Sequence, residues 1–249
     1  MRFEPTDRDL AVLLFTWQNR FVSTAQLHRA FWQDASPSAA SKRLVALREA
    51  GLLGFRSFAW LSERLLYFPC QGGNRVLADC GLLAKEWLKD FPRRPEDLSP
   101  ALRHDLKVVD LRLGLEESGV DGRTWVSDHQ LRMLSREPGP RKRVPDGIFE
   151  FSFRGIRGGG LLEYEHAPYR RPAAKGLLSR LRHRYGGRFV FLVARAGGRA
   201  DTLRAWARES GIYADAPRQL AFSHQEAVAE LGLDGGFLDV EGRPWDGTK

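Results

Sequence analysis

Apolar residues recur at helical spacing three times in the first fifty positions, and then the rhythm becomes strand-like. Leu10, Leu13, Leu14 and Trp17 form one stripe behind a Thr6–Asp9 capping pair, which predicts a first helix. Ser23 or Thr24 is placed to cap a second helix that runs through Phe31. Ser36-Pro37 opens a third, with proline in the first turn, where its missing N–H costs nothing. Its buried positions are Ala40, Leu44 and Leu47, and Gly51 stops it. The stretches Leu53–Trp60 and Arg64–Phe68 read as two strands joined by a turn. A further helix is expected over Asn74–Asp90.

Phe91-Pro-Arg-Arg-Pro-Glu-Asp-Leu-Ser-Pro100 has the composition of a linker. Beyond it a helix is expected from Ala101 to Ser118, with Leu102, Leu106, Val109 and Leu113 on one face. Three strands follow, Thr124–Arg132, Val144–Phe153 and Gly160–His166, and then a helix from Pro172 to Tyr185. The all-apolar run from Arg188 to Arg195 predicts a strand buried on both faces. Helices at Ala200–Ser210 and His224–Leu231 flank a short strand near Leu220–Phe222. Two domains are therefore expected, residues 1–92 and 100–249, in an α+β chain whose second domain is of α/β type.

Composition sharpens the choice of partner. Hydrophobic residues make up 43% of the 249 residues, enough for a packed core. The net charge is +8 and the pI about 9.9, which favours a polyanionic partner. The excess is local: between Arg136 and Arg188 there are 13 Lys/Arg against 5 Asp/Glu, and the remainder is neutral. No run approaches the roughly 18 apolar residues of a membrane span, and no secretory h-region is seen at the N-terminus. Cys70 and Cys80 could form at most one bridge, so a cytosolic location with both thiols reduced is the expectation, and without a Cys-x-x-Cys pair no zinc site is expected.

Three short helices and a hairpin within about 65 residues predict a winged helix-turn-helix. The phrase from Ser38 to Leu53, Ser-Ala-Ala-Ser-Lys-Arg-Leu-Val-Ala-Leu-Arg-Glu-Ala-Gly-Leu-Leu, resembles the recognition helix of such regulators and the start of its wing. With Leu44, Leu47 and Leu52 anchoring it, Ser38, Ser41, Lys42 and Arg48 point outward and Arg43 lies at the flank. Small residues admit the helix to a major groove, and Ser, Lys and Arg reach bases and phosphates. Arg56 and Arg64 would sit on the wing. Arg141, Lys142 and Arg143 are candidate phosphate contacts in the basic stretch. The bland alternative is a winged helix that contacts only proteins.

In the second domain Pro145-Asp146 is followed by Glu163-Tyr-Glu165. This resembles the restriction-endonuclease-like superfamily, whose signature is Pro-Asp, a gap, then Asp/Glu-x-Lys on the next strand. Two carboxylates there hold Mg²⁺ and a lysine helps activate the attacking water. The resemblance implies catalytic roles for Asp146, Glu163 and Glu165, with Glu117 or Glu116 of the upstream helix as a further metal ligand beside Asp146 and Glu163. Glu165 occupies the lysine position, which removes the cation; Lys175 on the following helix is the one candidate replacement. No cofactor is expected of a degenerate site, and Mg²⁺ of an active one. Alternatively, Asp146 caps a turn, and Glu163 and Glu165 pair with Arg170, Arg171 or Arg180.

The whole chain is similar to the replication-relaxation family, which pairs a winged helix with a nuclease-like domain and is linked to plasmid mobilisation. His104, Tyr185 and the lysine-free Glu163-Tyr-Glu165 fit it. The resemblance implies a double-stranded DNA-binding protein of a prokaryotic mobile element or plasmid, associated with the nucleoid, in transcription regulation, replication or mobilisation. Other replication or mobilisation proteins, or a second copy in a homodimer, are further candidate partners. A metal-dependent DNA endonuclease is the competing expectation. His104, His166 and His183 lack metal-ligand spacing. Gly155–Gly160 lacks a following Lys-Ser/Thr and so reads as a hairpin turn, not a phosphate-binding loop.

Overall fold

The computed structural model describes residues 3–58, 65–88, 102–134 and 144–246, and its class is α+β. Contacts divide the chain into two units, Met1–Val109 with Arg132–Arg136 and Asp110–Leu131 with Glu137–Lys249. The Pro-rich stretch expected to part the domains lies outside the described residues. The division falls instead inside the helix that follows it, after Val109.

The first unit runs α1 (Asp7–Asn19), β1 (Val22–Ser23), α2 (Thr24–Phe31), α3 (Pro37–Glu49), β2 (Leu53–Ser57), β3 (Leu65–Pro69) and α4 (Gln71–Asp79). Caps fix where the helices start. Thr6 with Asp9 and Ser23 with Gln26 each close a reciprocal capping box, and Ser36 caps α3 with Pro37 in its first turn. The three strands form an antiparallel sheet in the order β1-β3-β2. Phe21 and Leu66 pack with Leu102 and Leu106, which come from the first turns of α5 (Leu102–Glu117). The Gln26 side chain donates to the Leu106 carbonyl at 2.8 Å, and Arg20 pairs with Asp105 at 3.1 Å. The helix expected over 74–90 is shorter. α4 ends at Asp79, and a separate 3-10 turn, Lys85–Leu88, stacks Trp87 on Trp17. Gly81, at a φ of +73° that L side chains avoid, provides the break.

The second sheet has the order β4-β5-β6-β7-β8. β4 (Val126–Ser127), β5 (Gly147–Phe153) and β6 (Ile156–Glu165) are antiparallel. β7 (Phe189–Ala194) and β8 (Leu220–His224) continue parallel to β6. The crossovers are α7 (Arg171–Tyr185) and α8 (Gly197–Ser210), and α9 (Gln225–Leu231) follows β8. Leu161, Val190, Leu192 and Phe222 pack with Leu177, Leu178 and Leu203 of the two crossover helices, which places α7 and α8 on one face. The opposite face gathers Phe149, Phe151 and Phe191 under Trp125 and Trp245.

Two expectations change here. The strand expected over 124–132 is only β4, and α6 (Asp128–Leu134) replaces the rest. Ser127 and Gln130 bond reciprocally, Gln130 N–H to Ser127 Oγ and Ser127 N–H to Gln130 Oε1, and so start the helix. The turn expected at Gly155–Gly160 is confined to Arg154-Gly155, and Gly158–Gly160 lie within β6. A Cβ at Gly158 or Gly160 would strike the Phe151, Phe149, Phe189 and Phe191 rings, and one at Gly159 would strike the Arg188 guanidinium. The glycine run thus makes room for the aromatic face on one side and lets Arg188 reach Glu150 at 3.1 Å on the other.

Among the described residues no helix is long and apolar enough to cross a membrane.

Candidate functional site

Two places collect the residues singled out by the sequence. The first is the outer face of α3. Ala40, Leu44 and Leu47 are fully buried, and Ser38, Ser41 and Lys42 are exposed on the opposite side, as a 3.6-residue period requires. Arg48 is half-buried near the end of α3, with its guanidinium 4.5 Å from the exposed Phe55 ring of β2. Arg56 sits on the same strand, 5.7 Å from the Phe58 ring. Arg64, Arg141, Lys142 and Arg143 lie outside the described residues.

Arg43 departs from expectation. It turns toward α1 and binds Asp9 with both ends of its guanidinium, Nε to Oδ1 at 2.8 Å and Nη2 to Oδ2, while stacking on Phe3. Asp9 is buried and also accepts from Thr6 N–H and Oγ1. Burial alone would raise the Asp9 carboxyl, but the hydrogen bonds from Arg43 and Thr6 outweigh it and hold it below its ordinary value. Arg43 accordingly supplies the counter-charge of the buried Asp9.

The second place is the end of β6. Gly147 pairs with Leu162, and Asp146 N–H donates to the Leu162 carbonyl, so Asp146 stands opposite Glu163. Strand alternation puts Leu161, Glu163 and Glu165 on the face covered by α7 and α8. Asp146 Oδ2 accepts from Tyr164 N–H at 2.7 Å, which ties it across the strand pair. Glu163, 3% exposed, accepts from the Tyr169 hydroxyl at 3.0 Å. The Tyr185 phenol lies close enough to feel that carboxylate; burial raises it, Arg184 opposes and Glu163 raises it further.

Glu165, 2% exposed, is fully engaged. Arg199 of α8 grips it at 2.7 and 2.8 Å, and Tyr169 N–H donates to it at 2.7 Å. Arg199 also reaches the Tyr169 carbonyl and lies over Trp206. The hydrogen bond to Glu165 outweighs desolvation and raises the Arg199 guanidinium above its ordinary value. The arginine on Glu165 is thus Arg199, and not Arg170, Arg171 or Arg180. Lys175 is exposed on α7, outside the buried row Ala174, Leu177, Leu178 and Leu181.

The acids of α5 also differ from expectation. Glu117 is exposed, and Glu116 accepts from the buried Arg112 at 2.6 Å. Asp110, seven residues before Glu117 and so on the same helix side, lies near enough for its charge to act at this end of the sheet. It acts on the Tyr164 phenol, which burial raises, Arg195 lowers, and Asp110 and Asp146 raise further. A hard divalent cation at this point would need several oxygen ligands beyond Asp146 and Glu163. The residues do not fit it: Glu165 is neutralised by Arg199, and Glu116 is spent on Arg112. Among the described residues no group of three or more His, Cys, Asp or Glu side chains is placed to hold a metal ion.

No family model matches the chain, nor does any curated protein or solved structure.

Proposed function

We propose that this chain binds double-stranded DNA through α3, as a transcriptional regulator or replication and mobilisation accessory factor of the replication-relaxation kind, and that its second unit is a degenerate restriction-endonuclease-like domain. The order α1-β1-α2-α3-β2-β3, with a strand between the first two helices and a hairpin after the third, supports a winged helix-turn-helix. The observation that carries the reading is the exposed row Ser38, Ser41 and Lys42 on α3, backed by the buried row Ala40, Leu44 and Leu47. A meander β4-β5-β6 followed by the α7 crossover to a parallel β7, with Asp146 opposite Glu163, supports the nuclease-like reading of the second unit.

The step from nuclease-like to degenerate rests on Glu165. Hydrolysis needs a cation beside the nucleophile to stabilise the charge that develops on the phosphate. The side chain at that position is a carboxylate, and its counter-charge comes from Arg199. The second reading is an endonuclease using Asp146, Glu163 and Lys175, and the cross-strand placement of the first two favours it. Supercoiled and single-stranded DNA incubated with the protein in Mg²⁺ or Mn²⁺ separates the two. We expect intact DNA; cutting that disappears in Asp146→Ala would establish the endonuclease instead.

A further inference from the structure

We infer that the outer face of α7 is a second, sequence-independent docking surface for the DNA phosphate backbone. The inference rests on the duplex-DNA reading above and adds a site on the other unit.

α7 carries five Lys/Arg and His183 in fifteen residues and contains no Asp or Glu. Its buried row Ala174, Leu177, Leu178 and Leu181 faces the sheet, so the charges occupy the rest of the helix surface. Arg171 pairs with Glu209 and Arg182 with Asp215 on the flank that also carries Lys175, while Arg180 and Arg184 lie on the opposite flank. Lys175, Arg180 and Arg184 are exposed, as is Arg170 just before the helix, and among the described residues no ion pair holds these four. From Arg170 to Arg184 the helix rise spans about 21 Å. Duplex DNA presents one phosphate per roughly 3.4 Å along each strand, so several phosphates fall within reach of cations spread over that length on both flanks.

Charge complementarity selects the occupant. Unpaired cations on one helix with no acid among them are disfavoured by self-repulsion, and a polyanion relieves it. Beside the exposed His183, the residues between the cations are the exposed Ala173 and Ser179 and the half-buried Gly176, and these three do not hold a backbone away from the helix. They also offer little to read a base, so this surface adds affinity without adding sequence preference.

The test uses the full chain and a labelled duplex of arbitrary sequence, titrated between about 50 and 200 mM salt. Each phosphate contact contributes roughly 0.9 to the slope of log affinity against log salt. Lys175→Ala/Arg180→Ala/Arg184→Ala should lower that slope by about 2–3 and weaken every duplex alike. Lys175→Arg/Arg180→Lys/Arg184→Lys, which keeps the charges, should keep the slope. A triple-alanine protein with unchanged slope and affinity, while Lys42→Ala still weakens binding, would overturn this inference and leave the proposed function standing. Wild-type protein that ignores duplex at the lowest salt overturns both. A slope change seen with single-stranded RNA but not with duplex would also overturn it.

Discussion

The face of α3 and the end of β6 each contain a residue that looked functional and is spent on the fold, but the consequences differ. On α3, Arg43 is withdrawn to Asp9, and Ser38, Ser41 and Lys42 remain exposed. At β6, Glu165 is bound by Arg199, so the guanidinium beside it is spent on that carboxylate. A docking face is distributed, so it survives the loss of one contributor. A hydrolytic site is a constellation, and a single wrong charge next to the reacting phosphate removes its main electrostatic term. This contrast separates the binding role proposed for α3 from the inactive site proposed at β6.

The strongest way to break the comparison is to remove each buried pair's cation. Arg199→Ala leaves Glu165 buried without its counter-charge and should cost about 3–5 kcal/mol in a urea unfolding titration. Arg43→Ala should cost less, about 1.5–3 kcal/mol, because Arg43 is one-third exposed and Thr6 still donates to Asp9. A loss below about 0.5 kcal/mol in either variant would mean that the pair does not hold its unit together.

The Asp9 pair carries a pH signature. Its folded carboxyl lies below the ordinary 3.8, so the stabilisation is complete above that value and is lost as pH falls through the lower folded value. The stability gap between wild type and Arg43→Ala should therefore narrow between about pH 5 and pH 2. A gap of constant size over that range would contradict the assignment.

Much of this was readable from the sequence because it is local. Thr6–Asp9, Ser23–Gln26 and Ser36-Pro37 fix three helix starts within four residues each. Ser127–Gln130 is the same signal, and it outweighs the strand-like composition of Thr124–Arg132. The Pro-Asp and Glu-x-Glu spacing foreshadowed the Asp146–Glu163 juxtaposition, since strand alternation is also local. The partners of Asp9 and Glu165 were not readable. Each arginine lies 34 residues along the chain, and only the packing of α3 on α1, or the β7–α8 crossover, brings it in. Asp110 was missed in the same way: seven residues separate it from Glu117, and only the position of Tyr164 distinguishes them.

On the binding side, Lys42→Ala sharpens the comparison with a smaller effect. It should weaken duplex binding by about 1–3 kcal/mol if Lys42 contacts a base, and by less if it contacts a phosphate. Because Lys42 is exposed, stability should stay within about 0.5 kcal/mol. Unchanged duplex affinity would remove α3 as the reading helix.

The most direct test of the account is one electrophoretic titration of a labelled duplex with the full chain in Mg²⁺. The shifted complex is first resolved on a native gel, and its DNA is then run under denaturing conditions. The account predicts a shifted band whose DNA is intact. A duplex left unshifted at every protein concentration, or DNA cut by the wild type and spared by Asp146→Ala, would contradict it.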